Sequence, residues 1–169
     1  MKNIFRLVAV LAFAGVLLSS CTSYRTKAEE VAIPLIRALQ DDDANDAKCL
    51  LPAKSELSSV FDANKGAVGF VYYNKYRQSY SYEVLASKVA TDFDIISKIT
   101  KEQKLDWSGV RYGIPKVEEV ATEDANYSKV SVSLQFPGNK VYNLSYNAVR
   151  AGGNWCLFND IYFTPPIAQ

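Results

Sequence analysis

The sequence predicts an α+β domain in which N-terminal helices pack on one face of a curved antiparallel sheet of about four strands. Three observations predict it. Apolar residues recur at helical spacing through residues 28–104, the apolar period switches to two between 110 and 163, and strong turn signals separate the period-two runs. Helices first and an antiparallel meander after them is the order of a fold that segregates its helices to one side of the sheet.

The first helix follows a capping-box pattern at Thr26 and Glu29, and Ala28, Val31, Ala32, Leu35, Ile36 and Leu39 then share one face. Pro34 lies inside this pattern and is expected to kink or restart the helix. Asp41-Asp42-Asp43-Ala44-Asn45 breaks it, and Asp43 or Asn45 is placed to cap a second short helix reaching Leu51, which Pro52 ends. Ser55 is the expected cap of a further turn or two carrying Leu57, Val60 and Phe61. In Gly66–Tyr82, the glycines Gly66 and Gly69 point to a turn, and Tyr72, Tyr76 and Tyr80 stand at i, i+4 and i+8. That spacing fits one helical face; a strand or an aromatic-rich loop is also compatible. A long helix is expected from about Tyr82 to Lys104, with Leu85, Val89, Phe93, Ile96 and Ile99 as its buried stripe.

From Trp107 onward Val110, Tyr112 and Ile114 alternate, and Val117–Thr122 reads as a strand before a turn at Glu123-Asp124-Ala125-Asn126. Val130, Val132, Leu134 and Phe136 alternate with Ser131, Ser133 and Gln135, a half-buried strand. Pro137-Gly138-Asn139 is a strong hairpin turn, followed by the alternating set Tyr142, Leu144, Tyr146 and Ala148, whose face is expected to point inward. Gly152-Gly153-Asn154 turns the chain into Trp155–Phe163, and Pro165-Pro166 stops it.

The N-terminus carries the clearest functional signal. Lys2 and Arg6 precede an uncharged apolar run, Leu7–Leu18, which Ser19, Ser20 and Cys21 follow: the order of a secretory signal. The run is shorter than the roughly 20 residues of a spanning helix. Leu18-Ser19-Ser20-Cys21 resembles the bacterial lipobox. The resemblance implies cleavage after Ser20 and diacylglycerol on Cys21, so that two or three acyl chains hold the chain on a membrane. The organisation expected is then a signal peptide over 1–20, a lipidated tether over 21–27 and a single α+β domain over 28–169. Thr22, where an aspartate would favour inner-membrane retention, implies the outer membrane in a Gram-negative host.

Loss of Lys2 and Arg6 takes the formal charge from +1 to −1, which argues against an electrostatic nucleic-acid binder. The 149 residues left are enough for one real core, and 11 Tyr, 8 Phe and 2 Trp argue against disorder. The chain has no histidine, hence neither the usual general base nor the commonest metal ligand. No cofactor motif is present: P-loop, G-x-G-x-x-G, nucleophile elbow and zinc spacing are all missing.

Leu35-Ile36-Arg37-Ala38-Leu39-Gln40, the acidic break, Ala47–Pro52, and the closing hairpins with Trp155-Cys156-Leu157 after a Gly-Gly-Asn turn resemble small NTF2-like, cystatin-like lipoproteins. The likeness is one of pattern over most of the chain beyond residue 20, and residues 66–82 fit it least. It implies a sheet curved around a helix, often with a cone-shaped pocket, and a superfamily that includes isomerases, dehydratases, binding domains and envelope proteins. Fold alone then leaves function open.

Four groups of residues are candidates for chemistry. Asp41–Asp46 begins like a calcium loop but has Asp46 where glycine is needed and Pro52 where a bidentate glutamate belongs, so it reads as a solvated loop. Cys49 and Cys156 are the two cysteines beyond Cys21, and either bridge, which requires Cα atoms within about 7 Å, or stand as small apolar thiols. Tyr72, Tyr73, Tyr76, Tyr80 and Tyr82 line either a ligand or glycan site or the core. Tyr142, Tyr146, Trp155 and Asp106 are the candidate pocket of an NTF2-like cone, with Asp106 and Asp160 the acids flanked by aromatics. Asp106 equally suits a cap before Trp107. The function expected is a membrane-anchored envelope lipoprotein that binds a protein partner or small ligand without catalysis. The alternatives are an isomerase or hydratase with an Asp/Tyr pocket, and a structural subunit of an envelope complex.

Overall fold

The computed structural model describes residues 24–118 and 126–165. The expected signal sequence, the lipobox-like segment with Cys21, the expected Glu123–Ala125 turn and Pro166 lie outside the described residues. No described helix is long and apolar enough to cross a membrane.

The helical part opens with a 3-10 turn, Ala28–Val31, leading into α1, Ala32–Gln40. Its cap sits one residue from the expected box. Glu30, not Glu29, reaches back, accepting from the backbone N–H of Thr26 at 2.6 Å and of Lys27 at 3.2 Å. Pro34 falls in the first turn of α1, where a missing N–H costs no helix bond, so the helix restarts there without a kink. Asp43 caps α2, Ala44–Lys48, by accepting from Asn45 N–H at 2.8 Å. Ser55 does not cap the next helix. It lies inside a 3-10 turn, Lys54–Glu56, and Glu56 closes that turn on Ala53 N–H before α3, Leu57–Ala63.

The tyrosine face also ends sooner than its spacing predicts. α4 spans only Val71–Lys75, Tyr76 leaves helical geometry, and a separate 3-10 turn, Arg77–Ser79, precedes Tyr80. The cause is packing. Tyr73, one residue off the predicted face, is drawn inward against Phe70, while Arg77 is held on α3 by Asp62 at 2.6 Å and Ser58 Oγ at 2.7 Å. α5, Tyr82–Glu102, is capped by Ser81 and buries Leu85, Val89, Phe93 and Ile96 of the expected stripe together with Asp92 and Thr100, whereas Ile99, the last residue of that stripe, is half-buried.

Five antiparallel strands follow: β1 Arg111–Tyr112, β2 Lys116–Glu118, β3 Tyr127–Phe136, β4 Lys140–Ala151 and β5 Asn154–Thr164. β1 and β2 both pair with the same edge of β3, so they act as one interrupted edge strand and the sheet is four strands across. The interruption is Gly113-Ile114-Pro115. Pro115 has no N–H to give the ladder, and Ile114, expected to alternate inward, is 89% exposed. Gly138 and Asn139 take φ 78° and 59° in one hairpin, and Gly152 and Gly153 take 55° and 83° in a two-residue hairpin of the type such glycines favour.

Tyr142, Leu144, Tyr146 and Ala148 are all buried on the inward face of β4, with Val130, Val132 and Leu134 beside them on β3. Burial becomes continuous over Tyr146–Val149 and Trp155–Asn159. There the aromatic segment 61–80 covers the second face of the sheet, Phe70 meeting Tyr127 at 5.4 Å and Phe158 at 5.2 Å. Ahead of the first turn, Arg25 is buried against β5: its backbone carbonyl accepts from Trp155 N–H, and its Nε donates to Trp155 O at 2.7 Å.

Candidate functional site

Where β5 passes β4 the ladder breaks in a specific way. Tyr146 pairs with Ile161 and Ala148 with Leu157, so Asn147 alone faces Phe158, Asn159 and Asp160. Two of the three extra residues have left-handed backbone, Asn159 at φ 101° and Asp160 at φ 54°. Such residues cost of order 1–3 kcal/mol each, persist only where their surroundings hold them, and cluster at binding and catalytic sites. Both sides of the bulge are pinned. Phe158 is wedged among Phe61, Phe70, Tyr73 and Tyr80, with ring centroids at 6.0, 5.2, 5.3 and 6.3 Å. Ile161 donates its N–H to Asp92 Oδ2 on α5 at 3.0 Å.

The bulge pushes Asp160 into a polar cluster. Lys88 of α5 sits 2.9 Å from Asp160 Oδ1 and 3.5 Å from Asp92 Oδ1. Tyr73 donates its hydroxyl to Asp160 Oδ2 at 3.0 Å and accepts from Asn147 Nδ2 at 3.1 Å. Asn159 Nδ2 donates to the same Asp160 oxygen at 3.0 Å, and Asn159 Oδ1 is buried with no hydrogen-bond partner among the described residues. Tyr73, Lys88, Asn159 and Asp160 of this cluster form one wall of a cleft of about 660 Å³, whose other walls are Tyr72, Tyr76, Ser79, Tyr80 and Val84. Gly69 closes the rim, since a Cβ there would stand 2.7 Å from the Tyr127 ring.

Burial, reinforced by the charge of Asp160, pushes the Tyr73 phenol far above its usual range, so it stays a neutral donor. Burial also raises the Asp92 carboxyl above the ordinary carboxylate value, despite the opposing pull of Ile161 N–H and Lys88. Burial alone would lower Lys88, but Asp160 and Asp92 outweigh it and the ammonium is held above its usual value. Asp160 Oδ2 thus already accepts two hydrogen bonds and Oδ1 faces an ammonium. Its carboxylate is a fixed acceptor rather than a base waiting for a proton. Among the described residues no three His, Cys, Asp or Glu side chains converge as a metal site.

The residues singled out from sequence distribute differently. Tyr142 stacks flat on Phe163 at 4.7 Å and 5°. Tyr146 is fully buried and donates its hydroxyl to Ala28 O at 3.2 Å. Trp155 pairs with Arg150, eight residues along β4 from Tyr142, so at about 3.3 Å per residue the two lie roughly 26 Å apart. One cone cannot be lined by both. Asp106 is exposed and caps the turn at Trp107, accepting from Ser108 N–H at 2.9 Å and Ser108 Oγ at 2.7 Å; its hydroxyl partner first, then that N–H, lower its pKa, the reverse of what a base requires. No disulfide joins Cys49 and Cys156: Cys49 is exposed at the end of α2 and Cys156 is buried in β5, though both border a second cleft with Arg25 and Glu56. Of the tyrosines, Tyr72, Tyr73, Tyr76 and Tyr80 do line the larger cleft, and Asp160 joins them.

Lys88, Asp92, Asn147 and Asn159 were not singled out by the sequence. One signal was present: Asn159-Asp160 puts two polar residues in succession inside an apolar strand, which breaks period two and marks a bulge. No protein-family model, no curated protein and no solved structure is significantly similar to this chain.

Proposed function

We propose that this chain is an envelope lipoprotein, lipidated at Cys21 and of NTF2-like descent, whose domain binds a small polar ligand in the tyrosine cleft without transforming it. The observation that carries the binding reading is the Lys88–Asp160 pair set at 2.9 Å in the wall of a cleft faced with tyrosine rings. Apolar surface with a few fixed polar groups is the usual make-up of a small-molecule site. The Tyr73–Asp160 hydrogen bond is the observation that favours the isomerase or hydratase alternative. Against it stands Asp160 Oδ2, the oxygen in that bond, which already accepts from both Tyr73 and Asn159.

The tether supports a position close to the lipid. Three residues, Thr22, Ser23 and Tyr24, separate Cys21 from the anchored Arg25, and the four chain steps reach at most about 14 Å. The outer membrane is the surface that Thr22 favours in a Gram-negative host. Cys21→Ala is expected to move the protein from the membrane to the soluble fraction, with wild-type protein yielding an acylated N-terminal peptide by mass spectrometry. An unmodified N-terminus elsewhere in the chain rejects the lipoprotein reading. For the cleft, amide NMR of the full-length protein with sugars, amines, carboxylates and phosphates is expected to show shifts at Tyr72, Tyr76, Lys88 and Asp160. Shifts confined to other surfaces, or none, reject the cleft as the site.

A further inference from the structure

The charges and hydrogen-bonding groups of the cleft discriminate among small polar ligands. Resting on the binding reading above, we infer that the cleft takes a neutral polyhydroxylated ring, a sugar with adjacent free hydroxyls. A cationic amine would have to approach Asp160 where Lys88 already stands 2.9 Å away, and like charges at that range repel. An anion would meet the Asp160 carboxylate in the cleft wall, with the Lys88 ammonium already held against that carboxylate at 2.9 Å. A neutral ligand meets neither penalty.

The polar groups also come in the right pairing. Lys88 has three N–H donors and stands 2.9 Å from Asp160 Oδ1 and 3.5 Å from Asp92 Oδ1, so the two acids engage at most two of them; Asp160 Oδ1 keeps a lone pair beside it. A donor and an acceptor side by side match two neighbouring hydroxyls, one accepting from Lys88 and the other donating to Asp160. Behind them Asn159, 4% exposed, holds a carbonyl oxygen with no partner among the described residues, an acceptor still calling for a donor. The opposite wall supplies rings. Tyr72 and Tyr76, 62% and 43% exposed with centroids 4.9 Å apart, offer apolar faces edged by hydroxyls that bond to none of the described residues. The face of a sugar ring is apolar and its rim polar, which is the complement of this cleft.

The test uses the full-length protein in a detergent without a sugar headgroup. Neutral hexose oligosaccharides and N-acetylglucosamine oligosaccharides are titrated separately, beside methylamine and inorganic phosphate, with amide shifts as readout. Saturable shifts at Tyr72, Tyr76, Lys88 and Asp160 with either sugar series, and not with the ions, support the inference; which series binds tells a storage-type glucan from an amino-sugar polymer. Tyr72→Ala/Tyr76→Ala, at two exposed positions, should weaken that binding by about tenfold or more, while the Phe pair keeps the rings and most of the affinity. Saturable cleft shifts with amine or phosphate alone overturn the sugar inference and leave the binding reading standing. No cleft shifts with any probe overturn both. Sugar binding untouched by the alanine pair also overturns the placement on the tyrosine wall.

Discussion

Phe158→Ala is expected to destabilise the domain by about 3–5 kcal/mol, the upper range for removing a buried aromatic ring. The side chain is fully buried and touches four rings from two parts of the chain: Phe61 on α3, and Phe70, Tyr73 and Tyr80 in the segment after it. Aromatic pairs contribute about 0.5–1.5 kcal/mol beyond their buried area, so several such terms vanish together. The cavity has little room to collapse, because Phe70 is also braced by Tyr127 on β3 and Tyr73 by Asp160. Phe158 further pins one side of the left-handed pair Asn159 and Asp160, so its loss frees the bulge to relax. Against a total stability of roughly 5–15 kcal/mol, such a loss leaves a marginal fold. Phe158→Leu, which keeps most of the volume, should cost only about 1–2 kcal/mol. Urea unfolding of the three proteins measures both. Equal midpoints for Ala and wild type would mean that the aromatic cluster is not packed as described.

That cluster marks where the sequence stopped being readable. The long helix was legible because its buried residues keep one period from Leu85 to Ile96, and a single period over about three turns leaves little choice. The hairpins were legible because Gly138-Asn139 and Gly152-Gly153 adopt backbone that few other residues tolerate. Residues 66–80 were not. Their apolar groups answer to Phe158 and Tyr127, more than fifty residues away, and no local period encodes that demand. The same holds for the site. Tyr72, Tyr76 and Tyr80 could be named from spacing, but nothing local in the sequence sets Lys88 and Asp92 apart from the other charges of α5. Only the bulge that delivers Asp160, and the N–H of Ile161 that seeks Asp92, give them a role. Asp106 and Tyr142 illustrate the converse. Asp106 adjoins Trp107 in sequence and Tyr142 meets Phe136 and Phe163 in space, yet one closes a turn and the other fills a stack.

Lys88→Met is expected to lower stability at neutral pH by about 1–3 kcal/mol and to lower it much less in acid. Methionine keeps most of the apolar stem, so the change isolates the charge. Breaking a buried ion pair by removing one partner costs about 3–5 kcal/mol, but the Lys88 side chain is 38% exposed and solvent screens part of the interaction, hence the smaller figure. The pH dependence follows from two groups. The folded-state pKa of Lys88 is raised, so its stabilisation is complete at neutral pH and is lost only as pH climbs through the raised value in alkali. Asp92 is the opposite case for an acid. Its folded-state pKa lies above the unfolded one, so the folded chain holds this proton more tightly, and stability falls as pH rises from the ordinary carboxylate range through the raised value. In the variant, Asp92 keeps the desolvation and the Asp160 repulsion but loses the Lys88 attraction, which widens that window toward neutrality. Protonating Asp92 removes the repulsion, so the gap between the proteins should be largest at about pH 7 and shrink toward about pH 4. Lys88→Arg, which restores a cation, should close most of the gap at neutral pH. Urea unfolding of the three proteins across that range gives the answer: a constant gap would assign the loss to packing, and the ion cluster would then carry no weight in holding the cleft wall.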